Sequence, residues 1–171
     1  MPLAFFIGDL QFVEDLLFPS YPLSIKKFLY NMYGTPVYGL RKIGSDTYYF
    51  GTSSQLCMQT GKVTVIEGDG NSAPYYFGTT GIGYTGVHDS YLYYKGKAQI
   101  ADKGAKCRVY HVNGNYYLVN ESGKLIKNTT YKDSDNVKYK TNSSGIVTKI
   151  DDQEVTSVPD SEPNEPVYQE N

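Results

Sequence analysis

Tyr48-Tyr49-Phe50-Gly51-Thr52 returns letter for letter as Tyr75-Tyr76-Phe77-Gly78-Thr79, 27 residues further on. A five-residue identity at that distance is rare by chance even in a tyrosine-rich chain, so it is read as an internal repeat. Each copy is followed by polar and glycine positions and then a Thr-Gly pair, Thr60-Gly61 and Thr85-Gly86. Weaker echoes come at Tyr93-Tyr94-Lys95-Gly96, at Tyr116-Tyr117-Leu118 with Gly123-Lys124-Leu125-Ile126, and at Tyr139-Lys140-Thr141 with Gly145-Ile146-Val147. Aromatic anchors spaced irregularly by roughly twenty residues mark an array whose unit is one small supersecondary element.

Alternating short runs separated by turn residues give that element its form. Val37 to Ile43 and Thr47 to Phe50 flank Gly44-Ser45-Asp46, the spacing of a hairpin with a three-residue loop. Val63 to Ile66 and Tyr75 to Phe77 flank a polar insertion, Glu67 to Pro74. Tyr91 to Tyr94 and Ala98 to Ile100 bracket Lys95-Gly96-Lys97, and Arg108 to Val112 and Tyr116 to Val119 bracket Asn113-Gly114-Asn115. Asn-Gly tolerates the positive φ that tight hairpin turns demand. Val137 to Lys140 and Ile146 to Ile150, joined through Asn142-Ser143-Ser144-Gly145, form a last pair.

The ends of the chain read differently. Leu3, Phe6, Leu10, Val13 and Leu17 recur at helical steps with Pro19 as a stop, and after Pro22 a cap at Ser24 leads to Ile25, Phe28, Leu29 and Met32 on one face, ended by Gly34. Residues 1–35 are therefore expected to be a helical cap or an attachment segment for a larger parent protein or a partner chain. Residues 36–152 hold the repeats. Residues 153–171, rich in proline, serine and acid, have little apolar surface to offset ordering and are expected to be a disordered tail.

At 171 residues the chain has room for one compact domain or one repeat array. With 18 Tyr, 7 Phe and no Trp, tyrosine carries most of the buriable apolar area, and each covered phenol needs a hydrogen-bond partner. From Asp151 onward there are seven acidic residues and no Lys or Arg, which leaves the rest at net +5. That field suits an anionic polymer such as a teichoic acid and is far too weak for nucleic acid. No apolar run approaches a membrane span, and with no basic residue before Lys26 the N-terminus does not read as an export signal. Cys57 and Cys107 could pair or stay as separate thiols.

Catalytic patterns are lacking. His88 and His111 stand singly, no metal-ligand spacing occurs, and Asp46, Glu67, Asp69, Asp89, Asp102 and Glu121 all fall in expected turns, where carboxylates bond to the local backbone. Gly68-Asp69-Gly70 and Gly81-Ile82-Gly83 lack the strand-then-helix setting of a phosphate loop. The chain reads as neither an enzyme nor a cofactor binder.

The unit in Val112-Asn113-Gly114-Asn115-Tyr116-Tyr117-Leu118-Val119-Asn120-Glu121-Ser122-Gly123-Lys124-Leu125-Ile126 resembles the cell-wall-binding repeats of bacterial surface proteins, among them choline-binding and glucan-binding modules and toxin receptor-binding repeats. The resemblance covers roughly Tyr38 to Ile150. It implies a mainly β fold, a β-solenoid of stacked hairpins, and a secreted, extracellular or wall-associated protein that binds cell-wall or cell-surface polysaccharide in shallow aromatic grooves. Choline-binding units use Gly-Trp pairs and cation–π cages; with no tryptophan, the expectation shifts from choline to a glycan. Because side chains alternate along a strand, about half the tyrosines belong to the core. Tyr49, Tyr76, Tyr84, Tyr94 and Tyr117 are the expected groove residues, with Phe50, Phe77 and Leu118 as packing. A structural or host-interaction surface protein, or the targeting domain of a phage lytic or tail protein, are the alternatives.

Overall fold

A computed structural model describes residues 3–7, 10–16 and 25–170. The chain is mainly β, and no described residue is helical. It divides into two compact units, one of residues 1–83 with 166–171 and the other of residues 84–165.

The first unit opens with β1 (Leu3–Ile7), β2 (Leu10–Leu16), β3 (Ile25–Asn31) and β4 (Pro36–Val37), an antiparallel meander in chain order. Where the structure describes them, the helices expected over residues 3–17 and 24–33 are thus replaced by strands, with Met32 and Tyr33 in the turn after β3. Their apolar steps of three and four also contain Phe5-Phe6-Ile7 and Phe12-Val13, and aromatic and β-branched residues favour a pleated surface once neighbours offer hydrogen bonds. β2 and β3 pair over seven positions, Leu10 opposite Asn31 through Leu16 opposite Ile25. Pro19, Pro22 and Ser24, expected as helix stop and cap, lie outside the described residues.

Two hairpins follow. β5 (Leu40–Ile43) pairs with β6 (Asp46–Tyr49), with Ile43 opposite Asp46, so the loop is two residues, Gly44-Ser45, and not the expected three. β7 (Gly61–Ile66) pairs with β8 (Ser72–Phe77), which draws Ser72 to Pro74 of the polar insertion into the strand. Leu29, Ile43 and Phe50 form one core cluster, and Leu40, Tyr49, Val65, Tyr75 and Phe77 form another.

The second unit runs through β9 (Gly86–His88), β10 (Tyr91–Tyr94), β11 (Lys97–Ala98), β12 (Cys107–Val112), β13 (Asn115–Asn120), β14 (Thr130–Lys132), β15 (Lys138–Thr141), β16 (Val147–Ile150) and β17 (Gln153–Glu154). Neighbours in this order pair antiparallel within three groups, β9 to β11, β12 with β13, and β14 to β17. Single bridges at Tyr91–Lys124, Val119–Leu125 and Tyr117–Ile146 add contacts beyond these ladders. Leu92, Tyr110, Val112, Val119 and Leu125 make one core; Cys107, Val109, Leu118 and Val147 make the next. Cys57 and Cys107 are both free thiols, and burial, reinforced by Asp133, pushes the Cys107 thiol up to about 11.

Turns are of two kinds. Two-residue turns with both φ positive join strands at Asp89-Ser90, Lys95-Gly96, Asn113-Gly114 and Asp151-Asp152, the geometry that matches strand twist. Among the described residues a second loop occurs six times, at residues 31–35, 67–71, 78–82, 120–124, 133–137 and 142–146. In each, the first N–H donates to the fifth carbonyl and the fourth N–H to the first carbonyl. The fourth residue has positive φ and is glycine in five copies and Asn136 in the sixth. In four copies the first residue is Asn31, Asn120, Asp133 or Asn142, and its Oδ1 accepts from the third and fifth N–H groups. The backbone repeat of this protein is therefore a turn pattern, Asn/Asp-x-x-Gly/Asn, as much as it is a tyrosine pattern.

Residues 155–170 have no regular secondary structure, yet they are not a disordered tail. In the second unit Val155 and Val158 pack on the Cys107 core, and the His111 N–H donates to the Ser161 carbonyl at 2.6 Å. In the first unit the Gly68 N–H donates to Val167, the Gln169 N–H to Leu40, and the Gln169 amide bonds the Leu40 N–H and the Ile66 carbonyl. The composition expectation fails because apolar residues here, Val155, Val158 and Tyr168, each pack on an existing core, and backbone amides and buried side chains of the preceding residues bond the rest.

Candidate functional site

Tyr84 is the expected groove residue that the structure leaves most open, at 38% exposure. It precedes β9, and the Lys95-Gly96 turn fixes the stretch: the Gly96 N–H donates to the Tyr84 carbonyl at 2.8 Å and the Lys95 N–H to Thr85 Oγ1 at 2.9 Å. Its ring lies over Gly86, where an added Cβ would meet ring atoms at 3.4 Å. On one side the His88 imidazole meets the ring edge-on, 6.0 Å between centroids, and His88 Nε2 is 3.5 Å from Asp89 Oδ2. Asn113, from the β12–β13 turn, reaches the Thr85 carbonyl at 3.5 Å. Tyr84 is thus partly exposed, with an imidazole, a carboxylate and an amide on nearby residues.

The other expected residues are placed less openly. Tyr49 is only 4% exposed, stacked on Phe77 at 6.3 Å inside the first unit's core, so it has no face for a ligand. The phase of β6 decides this, since Thr47 and Tyr49 point inward and Tyr48 is half-buried. Tyr76 is half-buried on β8 opposite Lys62. Tyr94 and Tyr117 come together on the same core, that of Leu92 and Tyr110, both half-buried. The Lys95 ammonium lies over the Tyr94 ring at 5.0 Å and pairs with Glu165 at 2.9 Å; that hydrogen bond raises the Lys95 pKa. Phe50, Phe77 and Leu118 are fully buried, as expected of packing residues.

Exposed aromatics that repeat counting did not single out are Tyr33 at 82%, Tyr38 at 45% and Tyr131 at 37%. Tyr33 sits third in the 31–35 loop, a place the Asn-x-x-Gly spacing would have found. A polar cleft of about 470 Å³ is lined by Asn128, Thr129, Thr130, Lys140 and Thr141, and contains no aromatic ring.

Most of the acidic side chains in turns are engaged with their surroundings. Glu121 Oε1 accepts from the Gly104 and Lys106 N–H groups at 3.0 and 3.1 Å, Asp69 Oδ1 accepts from Asn71, and Asp102 pairs with Arg108 at 3.0 Å. Glu67, only 4% exposed, accepts from the Tyr75 hydroxyl at 2.6 Å and the Val167 N–H at 2.9 Å. Burial and this carboxylate hold the Tyr75 hydroxyl well above the ordinary tyrosine range. Among the described residues no cluster of three or more His, Cys, Asp or Glu could hold a metal ion.

No protein-family model and no curated protein matches the chain. Solved structures similar to it include choline-binding proteins, the class its residue pattern resembles. Alternansucrase in complex with isomaltononaose aligns at 21% identity and a TM-score of 0.39, over 71% of this chain and 9% of that one. Choline binding protein F from Streptococcus pneumoniae, in the presence of a peptidoglycan analogue, aligns at 18% and 0.31, over 85% and 57%. CbpJ from Streptococcus pneumoniae TIGR4 aligns at 15% and 0.39, over 83% and 58%. The chain spans 9%, 57% and 58% of these proteins respectively, and TM-scores of 0.31 to 0.39 carry neither a ligand nor a site across.

Proposed function

We propose that this chain is a non-catalytic module that binds a cell-wall or cell-surface glycan, working outside the cell or on the wall, with Tyr84 as its principal stacking residue. The observation that supports this is the partly exposed Tyr84 ring held against Gly86 with His88, Asp89 and Asn113 about it. A phenol ring covers the C–H face of a pyranose, and amide and carboxylate groups at its rim hydrogen-bond the ring hydroxyls. Tyr76, Tyr94 and Tyr117, each half-buried, serve as weaker contacts. In the second unit, hairpins joined by the bridges at Tyr91, Tyr117 and Val119 are the rungs of a β-solenoid. Single sites of this kind are weak, so retention rests on several engaging one polymer. The net +5 of residues 1–150 admits an anionic glycan.

The test is affinity electrophoresis and titration calorimetry with an isomalto-oligosaccharide, isolated peptidoglycan and a teichoic acid. Tyr84→Ala is expected to weaken the productive ligand by roughly tenfold, the size of a lost aromatic contact of about 1.4 kcal/mol, whereas Tyr84→Phe keeps most of the binding. Folded wild-type chain that none of these polymers retards would overturn the proposal.

A further inference from the structure

We infer that the second unit contains a binding cleft for an extended acidic peptide, and that the chain's own residues 161–165 occupy it in cis. Gln99 is wholly covered, and its side chain contacts the backbone of Asn164 on both sides: Oε1 accepts the Asn164 N–H at 2.7 Å and Nε2 donates to the Asn164 carbonyl at 3.2 Å. A second bond from Nε2 to the Lys97 carbonyl, 3.1 Å, fixes the amide in this orientation. Asn164 itself is exposed, but its Nδ2 donates at 2.9 Å to the hydroxyl of the buried Tyr110, which in turn donates to the Ile100 carbonyl at 2.7 Å. Upstream, the His111 N–H holds the Ser161 carbonyl. Downstream, Lys95 Nζ grips both Glu165 carboxylate oxygens at 2.9 Å, and Lys97 Nζ donates to the Glu165 carbonyl at 3.1 Å.

Each part of this arrangement is one that peptide recognition uses. Main-chain bonds give affinity without regard to sequence, and a hydrogen bond to one side chain with a charge beside it gives specificity. The cleft reads backbone at Ser161 and Asn164, an amide side chain at Asn164 and an acid at Glu165. Pro163 and Pro166 on either side of Asn164-Glu165 keep the segment extended and limit what it loses on docking. The segment makes no ladder with any strand and is held mostly through side chains of the host, Gln99, Tyr110, Lys95 and Lys97, with one main-chain bond at His111. Because it is tethered, it competes with any free peptide at a millimolar effective concentration.

The experiment uses the full chain and a fluorescein-labelled peptide of residues 157–165, read by anisotropy. Wild-type chain is expected to bind it weakly. In Asn164→Lys/Glu165→Lys the chain's own segment is disabled and the cleft is intact, so binding tightens by at least roughly tenfold; adding Gln99→Leu abolishes it. A double variant that keeps its near-ultraviolet tyrosine spectrum and binds no better than wild type overturns the inference. Should that variant not fold, amide exchange on unaltered chain decides: excess peptide is expected to speed exchange at Asn164, and unchanged exchange at millimolar peptide is the contrary result. The inference is independent of glycan binding, which neither variant touches at Tyr84.

Discussion

A single oxygen atom organises each of the Asn-led loops. Asn120 Oδ1 accepts from Ser122 N–H, Ser122 Oγ and Lys124 N–H at 2.8 to 3.0 Å, and Asn142 Oδ1 accepts from Ser144 and Ile146. Asp133 does the same work with a carboxylate, so the requirement is an acceptor at that place, not an amide. Replacing Asn120 by Ala is expected to cost about 1–2 kcal/mol, since two backbone donors lose their partner in the protein and turn to water. Asn120→Asp is expected to cost clearly less. Urea unfolding of the two variants checks this, and equal losses would show that the side-chain oxygen is not what holds the loop. The signal is legible in the sequence as Asn/Asp-x-x-Gly/Asn.

At the scale of elements, hairpins were readable because their turn residues act locally. Asn113-Gly114 adopts the positive φ expected of an Asn-Gly pair and Lys95-Gly96 turns in the same way, though each loop is two residues and not the expected three, since Asn115 and Lys97 pair in the strands. The strands before residue 35 were not readable because their apolar spacing fits a helical stripe as well as a strand, although their partners are neighbours in the chain; the ordering of residues 155–170 was not readable because it depends on partners distant in sequence. The final segment passes so close to Gly68 that a Cβ there would overlap the Tyr168 carbonyl, and one on Gly39 would come within 2.7 Å of Gln169 Oε1. Gly68 has ordinary backbone angles, so space alone requires glycine. Gly68→Ala is therefore expected to displace residues 166–170, removing the Val167 N–H from buried Glu67 and the Tyr168 hydroxyl from Thr47. The expected loss is about 1–3 kcal/mol. Chymotrypsin should then cut after Tyr168 much faster than in wild type; an unaltered cleavage rate would show that the segment is not held there.

For the molecule as a whole, tyrosine burial makes stability depend on alkaline pH. Tyr75, Tyr110 and Tyr139 all have hydroxyls raised above the usual value, each chiefly by burial, with Glu67 adding to Tyr75 and Asp133 to Tyr139. A phenol raised on folding keeps its proton in the native state after the unfolded chain has lost it. Its contribution is complete below about pH 10, the unfolded value, and is lost as pH climbs toward the folded values. Cys107, raised to about 11, adds to the same fall. The urea midpoint is expected to hold at pH 8 and drop by pH 11 with an unchanged slope. A midpoint that does not move would show these hydroxyls to be no more buried than in the unfolded chain.

The sequence by itself determined that this protein is built of short antiparallel hairpins, and where most of them turn, because glycine, asparagine and aspartate impose backbone angles on their own residues. Only the tertiary structure decided which face of each strand meets a core. Tyr48-Tyr49-Phe50 and Tyr75-Tyr76-Phe77 are identical, yet Tyr49 is buried in the first copy and Tyr75 in the second, leaving Tyr48 and Tyr76 half-covered. Side chains alternate with a period of two, so a one-residue change of phase exchanges inside for outside. That phase is set by partners across the sheet and not by the five residues themselves.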